Sequence, residues 1–201
     1  LCISHSSSTG IKYNTSVFPE TGSYYKIEVS LLKDIVTISI DSSGAGLHKR
    51  GYRLQPGPAP IRETLASAII YLSKWKGENR MLADPFCGSG SIVIEAALLA
   101  KNIAPGLNRD FSFDKWPDFP SKIVQNIKEE AINAIKNVEL DIYATDINKN
   151  VFKEARENAT RANVIDNIIF EKKDMKEFKT KKRSGCIICN PPYGVRIGEI
   201  K

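Results

Sequence analysis

The sequence predicts an α/β protein whose core is a parallel β-sheet covered by helices on both faces. From residue 81 onward, short apolar runs typical of buried strands alternate with longer segments of helical periodicity. Polar or glycine-rich segments follow the predicted strands directly, where ligands bind in open α/β sheets. An alternating two-strand pattern at 24–40 precedes all of this, so we expect a smaller unit before the sheet.

The N-terminal unit is predicted to contain a β-hairpin. Residues 24–40 alternate apolar and polar side chains around a turn near Lys33 and Asp34. Glycines, serines and prolines then interrupt the pattern across residues 41–60, which indicates a boundary. We therefore expect three parts: a first domain over 1–47, a linker over 48–60 and a second domain over 61–201.

The second domain is predicted to begin with a helix over 61–75, with Leu65, Ile69 and Leu72 on its buried face. An insertion at 102–139, which contains a helix at 123–136, covers the site or packs on the surface. The other predicted elements alternate along the chain: strands at 81–83, 140–144, 168–170 and 186–189, with helices at 91–101 and 148–163.

The last predicted strand, 186–189, is apolar at every position, which is typical of a strand buried on both faces. Such a strand needs a neighbour on each side, yet only twelve residues follow it. We therefore expect the sheet to be incomplete at its C-terminal end.

Cys186 and Cys189 are predicted to be buried thiols. Because residues three apart on a strand point to opposite faces, they cannot grip one ion, and we expect no metal site.

Composition points to a globular protein, since 42% of its 201 residues are apolar and 26% are charged. No apolar run is long enough to cross a membrane, and residues 1–18 show no signal-peptide pattern. The four cysteines form no recognisable disulfide or zinc pattern, which favours a reducing compartment. We therefore expect a cytoplasmic protein.

The positive charge is concentrated in one segment. Residues 48–80 carry seven basic and two acidic side chains, which accounts for +5 of the net +6. This segment opens with a cluster in which an aromatic side chain lies among cations: Lys49, Arg50, Tyr52 and Arg53. Such a cluster suits contact with RNA phosphates and stacking on a base, whereas the alternative is an ordinary solvated loop.

A glycine-rich loop follows the first strand of the second domain. It reads Asp-Pro-Phe-Cys-Gly-Ser-Gly over residues 84–90, and its glycines let the backbone approach a ligand. Val93 stands where a dinucleotide-binding motif has its third small residue, so that motif is only half met. The carboxylate of Asp84 suits an amine-bearing ligand better than a phosphate-rich one. A plain tight turn is the alternative.

Acidic residues follow the next two predicted strands. Asp146 stands where an acidic side chain typically accepts hydrogen bonds from ribose hydroxyls, although the insertion separates it from Gly90 by 56 residues. Its alternative role is a cap for the helix that follows. Asp174, with Met175 beside it, is a weaker candidate, since a surface carboxylate explains it equally well.

Asn190, Pro191, Pro192 and Tyr193 directly follow the fourth strand. Consecutive prolines hold the backbone rigid. An asparagine oxygen and a neighbouring carbonyl oxygen can then accept both hydrogens of one amino group, while the tyrosine offers a stacking face. A proline-rich turn explains the prolines but not the amide and the aromatic ring together.

As a set, these motifs resemble those of class I S-adenosylmethionine-dependent methyltransferases that act on planar nitrogen. The segment 48–53, followed by Ala59-Pro60-Ile61-Arg62-Glu63-Thr64, narrows the resemblance to THUMP-linked RNA guanine-N2 methyltransferases, whose bacterial members modify large-subunit rRNA. It implies a Rossmann-like methyltransferase sheet preceded by the remnant of an α+β THUMP domain, an RNA-binding module. The implied partner is RNA, with rRNA favoured over tRNA.

The resemblance also implies roles for individual residues. Asn190, Pro191 and Tyr193 would hold the target base. The glycine loop and the two acidic motifs after it would hold S-adenosylmethionine, the implied cofactor, through Asp84, Phe86, Gly88, Gly90, Asp146, Asp174 and Met175, with Thr64 near the methionine carboxylate. Two alternatives stay open: an adenine-N6 DNA or protein-glutamine methyltransferase, and a non-catalytic RNA-binding protein of the same fold.

Overall fold

A computed structural model describes residues 22–54, 61–77 and 79–192. The chain divides into two compact units. The first contains residues up to Gly44 together with Ser112–Phe119, and the second contains Ala45–Phe111 and the residues from Pro120 onward. Within the described ranges, no helix combines the length and apolar character that crossing a membrane requires.

The first unit is built on the predicted hairpin. Strands β1 (Lys26–Leu32) and β2 (Ile35–Asp41) pair antiparallel. Lys33 and Asp34 form the two-residue turn with φ values of 50° and 62°, the left-handed conformation that matches the twist of a hairpin. The insertion contributes Trp116, whose ring stacks on Tyr25 at 4.9 Å between centroids. That part of the insertion thus packs on the hairpin.

The second unit is the predicted parallel α/β sheet. Its four strands lie in the order β5-β4-β3-β6, and each neighbouring pair is parallel. The strands are β3 (Met81–Asp84), β4 (Ile142–Asp146), β5 (Ile169–Lys172) and β6 (Gly185–Ile187). The helices are α1 (Glu63–Leu72), α2 (Ser91–Ala100), α3 (Ser121–Asn133) and α4 (Lys149–Arg161).

Helix α2 is the centre of the core, because its first eight residues are all buried. Helix α1 packs against it, but its buried face is only partly the predicted one. Of the predicted residues, Ile69 is half-buried against the core, whereas Leu65 and Leu72 are 53% and 77% exposed. Ala66 and Ile70 are buried instead. The small Ala66 faces the alanine-rich α2, which lets the two helices approach closely; the larger leucines lie outside this contact.

Strand β6 corrects the prediction of a strand buried on both faces. It lies at the edge of the sheet as described, and Ile187 is 62% exposed. Ile188 is buried, while Cys186 and Cys189 are only half-buried. The described residues thus cover one face of β6 and leave the other exposed, a difference that a uniformly apolar sequence does not reveal.

Helix α3 of the insertion has no buried residue. The segment that follows it is held to the end of α2, since the backbone N–H of Lys136 donates to the carbonyl of Lys101 at 2.8 Å. The side-chain amide of Asn102 also donates to the carbonyl of Ala134 at 3.0 Å. The exposed surface of α3 is consistent with packing on the outside of the second unit.

Candidate active site

The glycine loop between β3 and α2 depends on two glycines in the left-handed region. Gly88 has φ 52° and Gly90 has φ 85°. A Cβ on Gly90 would lie 3.2 Å from both Ala155 Cβ and Ile94 Cδ1, so this position is closely packed. A Cβ on Gly88 would have only the Phe86 carbonyl oxygen nearby, at 4.0 Å. Gly88 is therefore the loop residue whose backbone a ligand can approach.

Asp84 ends β3 beneath this loop. Its side chain is 1% exposed, and its Oδ1 accepts a hydrogen bond from the Phe86 N–H at 3.0 Å. Burial, together with the smaller effect of the negative charge of Asp146, raises the pKa of Asp84 to about 7. A positively charged amino group placed here would favour the ionised carboxylate. An amine-bearing ligand at Asp84 stays a prediction, and the buried carboxyl has the chemistry for it.

Asp146 ties the loop to the end of β4. Its Oδ2 accepts the Gly88 N–H at 2.9 Å, and its Oδ1 accepts the Asn148 N–H at 2.8 Å. A third bond runs from the Cys87 N–H to the Thr145 carbonyl at 3.0 Å. The alternative role of Asp146 as helix cap is wrong, because Asn148 is the N-cap of α4.

Asp174 lies next to Asp146. The N–H of Lys173 donates to the Asp146 carbonyl at 3.2 Å, which joins the ends of β4 and β5. The Asp174 carboxylate caps a short 3-10 turn by accepting the Lys176 N–H at 2.9 Å. Met175 is 45% exposed and offers an apolar surface beside these carboxylates. The carboxyl ends of three strands thus bring the predicted acidic residues together.

Asn190 follows β6 at the same edge of the sheet. The N–H of Ile188 donates to the Ala83 carbonyl at 3.0 Å, so the chain continues alongside the end of β3 toward Asn190. Asn190 is half-buried and Pro191 is exposed. The register of β3 and β6 continues with Asp84 opposite Ile188, so the predicted amide follows two residues later at the edge where Asp84 lies.

Three other residues were predicted for the site: Tyr193, Thr64 and Phe86. Tyr193 lies outside the described residues. Thr64 is exposed in the first turn of α1, and its predicted contact with the cofactor stays a prediction. Phe86 is half-buried, and it is the Phe86 N–H that donates to Asp84.

The cluster at residues 48–53, called the basic segment from here on, corrects a second prediction. Tyr52 is 1% exposed, and its hydroxyl donates to Glu95 at 3.0 Å. Burial in the core and the nearby charge of Glu95 raise the pKa of Tyr52 well above its usual value. The predicted stacking of Tyr52 on a base is therefore wrong, because the ring packs inside the protein.

Both arginines of the segment are also held inside the second unit. Arg50 forms an ion pair with Glu95 at 3.6 Å, and Arg53 forms one with Glu63 at 3.1 Å. Their side chains are only 13% and 11% exposed. Their burial contradicts the phosphate contacts predicted for Arg50 and Arg53, whereas Lys49 is exposed and its contact with RNA stays a prediction.

Glu95 is the buried partner of the basic segment, and it was not predicted from the sequence. It is 2% exposed in the middle of the apolar helix α2, and burial raises its pKa. It accepts hydrogen bonds from Tyr52 and Ser67 and pairs with Arg50. A lone glutamate in an otherwise apolar helix is the signal that could have revealed this partnership, because a buried charge requires a partner.

A parallel sheet that gathers a glycine loop, two acidic residues and an asparagine at its carboxyl edge has the organisation of a class I methyltransferase. Residues 50–201 match the model of the family described as RMKL-like, methyltransferase domain. The chain belongs to this family. The basic segment is therefore part of the family domain from residue 50 onward.

Curated relatives carry methyltransferase names. The chain is 48% identical over 184 residues to "Putative RNA methyltransferase YpsC" of Bacillus subtilis, which covers 90% of this chain and 47% of the relative. It is 44% identical over 179 residues to "Ribosomal RNA large subunit methyltransferase K/L" of Vibrio cholerae, covering 86% of this chain and 25% of that protein. The chain thus spans half or less of these relatives.

Solved structures share the fold. One is described as a "predicted N6-adenine-specific DNA methylase" from Listeria monocytogenes and matches with a TM-score of 0.86 and 44% identity, over 94% of this chain and 50% of that one. Another is described as "SMU.472, a putative methyltransferase complexed with SAH"; it has a TM-score of 0.84 and 39% identity, over 96% and 51%. Together with the family match, the SAH in this second structure supports S-adenosylmethionine as the cofactor of the methyltransferase domain.

The residues of the site fit S-adenosylmethionine. Its methionine carries an ammonium group, which the buried carboxylate of Asp84 would hold, and its ribose hydroxyls suit the carboxylate of Asp146. The open backbone at Gly88 leaves room for a ligand between them. Asp174 and Met175 offer an acceptor and an apolar surface for the adenine.

The raised pKa of Asp84 gives a testable prediction. The Asp84→Asn variant should be more stable than the wild type at pH 8 without cofactor, by up to about 4 kcal/mol, because ionising this buried carboxyl costs free energy. The contribution of protonated Asp84 to the free energy of unfolding is complete below pH 3.8, the pKa of this group in the unfolded chain. It is lost as the pH rises through about 7, the pKa in the folded protein. Urea unfolding between pH 4 and 8 should show the difference growing with pH. A difference independent of pH would contradict this explanation.

Proposed function

We propose that this protein transfers a methyl group from S-adenosylmethionine to the exocyclic N2 amine of a guanosine in large-subunit rRNA. The observation that carries the proposal is the placement of Asn190 and Pro191 at the carboxyl edge of β6, beside Asp84 and the glycine loop. The V. cholerae relative named for large-subunit rRNA supports this substrate.

The chemistry follows from the target amine, whose lone pair is delocalised into the guanine ring. Asn190 Oδ1 and the Pro191 carbonyl accept its two N–H bonds, which favours a pyramidal nitrogen with its lone pair directed outward. S-adenosylmethionine supplies an electrophilic methyl group on a sulfonium. The nitrogen lone pair would form the bond to the methyl group as the methyl–sulfur bond breaks, which would leave S-adenosylhomocysteine as a neutral thioether. The methylated nitrogen, then positively charged, would give up one proton to water. No strong base is required, since positioning and fixed dipoles lower the barrier.

Tyr193 belongs to the proposal as the residue that stacks on the target base. A base inside an RNA helix must leave its stack to reach Asn190, and an aromatic face offsets part of that cost.

Lys49 is the exposed cation of the basic segment and is proposed to contact an RNA phosphate. The hairpin of β1 and β2 is proposed to be part of a THUMP domain that docks RNA. A cytoplasmic location agrees with an rRNA substrate.

The second candidate function is adenine-N6 methylation of DNA. The description of the L. monocytogenes structure favours it, and the geometry of Asn190 and Pro191 suits an adenine amine equally well. The RNA methyltransferase names of the curated relatives favour the first candidate.

Methyl transfer to different macromolecules tests the proposal. The purified protein and labelled S-adenosylmethionine are incubated with large-subunit rRNA from a strain that lacks the enzyme, with modified rRNA, and with DNA. We expect label only in the undermodified rRNA, since fully modified rRNA has no free acceptor. Transfer to DNA, or equal transfer to both rRNA samples, would count against the proposal.

A further inference from the structure

Three hydrogen bonds connect helix α4 with the glycine loop and the basic segment. Asn158 is fully buried, and its Nδ2 donates to the Ser89 carbonyl at 2.9 Å. Arg161 donates through Nη2 to Asn158 Oδ1 at 2.7 Å and through Nε to the Tyr52 carbonyl at 2.7 Å. Because both ends of the Asn158 amide are engaged, its orientation is fixed.

The same face of α4 holds the loop at a second point. Ala155 is fully buried, and its Cβ lies 3.2 Å from the position of a Cβ on Gly90. Ala155 and Asn158 are three residues apart and therefore share one face of the helix. Between them they fix Ser89 and Gly90, the last two residues before α2.

The basic segment contacts both sides of this arrangement. Its Tyr52 hydroxyl bonds to Glu95 of α2 at 3.0 Å, while its Tyr52 carbonyl accepts the bond from Arg161. Arg53 also bonds to Ser91 in the first turn of α2. The segment therefore holds the helix that begins where the loop ends, and through Arg161 and Asn158 it holds the loop itself.

We propose that Asn158 is a positioning residue for the cofactor loop, and that Arg161 makes the conformation of the loop depend on the basic segment. The inference rests on the proposed function only in that this loop binds S-adenosylmethionine. A loop with glycines at 88 and 90 has many conformations, and ordering it upon binding would cost affinity. The bond from Asn158 restricts Ser89 before the cofactor arrives.

The Asn158→Asp variant tests this role. Aspartate keeps the size of the side chain and can still accept the bond from Arg161, but it cannot donate to the Ser89 carbonyl. We expect the dissociation constant of S-adenosylhomocysteine, measured by calorimetry on the purified protein, to rise at least tenfold. Hydrogen exchange should also become faster at the amides of residues 86–90 in the cofactor-free variant.

Two further variants separate positioning from general stability. Val164→Ala removes volume from a fully buried core residue that takes no part in the three bonds, so it should lower stability and leave the affinity unchanged. Arg161→Met removes both donors and frees the Asn158 amide to rotate. We expect it to weaken binding, with an effect that is not additive with Asn158→Asp.

Each outcome decides the inference. Unchanged affinity in both Asn158→Asp and Arg161→Met overturns it, and so does an equal loss of affinity in Val164→Ala. If Asn158→Asp does not fold, the affinity and hydrogen exchange of Arg161→Met decide. If the wild type itself binds no S-adenosylhomocysteine, the assignment of the cofactor fails first, which distinguishes the two failures.

Discussion

The Asn190→Ala variant is expected to lose at least about a hundredfold in the rate of methyl transfer, because one fixed acceptor at a reacting group has an effect of this size. Asn190 lies at the end of β6 beside Asp84, where its amide oxygen can hold the target amine. The affinity for S-adenosylhomocysteine should stay within about twofold of the wild type, since Asn190 is not proposed to bind the cofactor. Single-turnover transfer to undermodified rRNA, together with calorimetry, measures both quantities.

Asn167→Ala is the matched control for this experiment. The same amide is removed, but Asn167 Oδ1 accepts a bond from Lys101 at 3.0 Å, away from the carboxyl edge of the sheet. Its rate of transfer should equal that of the wild type. An Asn190→Ala variant that retained the wild-type rate would eliminate Asn190 as the residue that holds the target amine.

The Gly51→Ala variant is expected to destabilise the protein by more than about 4 kcal/mol, an effect at the upper end for single substitutions. Gly51 has φ 92°, which side-chain-bearing residues rarely adopt. An added Cβ would overlap the carbonyl oxygen of Asn108 and lie 2.8 Å from its carbonyl carbon. The backbone must therefore shift, which would disturb the ion pair of Arg50 and the hydrogen bond of Tyr52 with Glu95. Urea unfolding measures the loss.

The Gly44→Ala variant separates the steric overlap of the added Cβ from the cost of a positive φ. Gly44 also has a positive φ, of 73°, but the group nearest to its added Cβ is the hydroxyl of Ser112, which can rotate. We expect this control to lose only about 1 kcal/mol. Equal losses in the two variants would show that the contact between Gly51 and Asn108 has no particular importance.

The sequence was sufficient to predict the elements that position the site. Alternation of strands and helices predicted a parallel sheet, and the segments after its strands predicted which residues meet at one edge. Asp84, Asp146 and Asp174 lie together because parallel strands end at the same side of a sheet, which the order of elements already implies.

Partnerships between distant residues could not be predicted in the same way. The segment 49–53 has the composition of an RNA-binding loop, yet Tyr52 finds its partner Glu95 in a helix that begins 39 residues later in the sequence. Composition does not show which residues contact one another, so it cannot distinguish an exposed cation from a buried one. The buried position of Glu95 determines that Arg50 and Tyr52 serve the fold.

Helical faces were uncertain for a similar reason. Helix α1 has apolar residues on more than one side, and periodicity favoured the face with Leu65 and Leu72. The close approach of α1 and α2 instead selects the smaller Ala66 together with Ile70. The shape of the partner helix determines which apolar face is buried. The periodicity of a single segment gives no information on that shape.

The identity of the methylated nucleoside is the most direct test of the proposed function. Undermodified large-subunit rRNA is incubated with the protein and S-adenosylmethionine, digested to nucleosides and separated by liquid chromatography with mass spectrometry. We expect N2-methylguanosine as the product of the wild type and none of it from the Asn190→Ala variant. N6-methyladenosine as the product, or no methylated nucleoside above that of the variant, would contradict the proposed function.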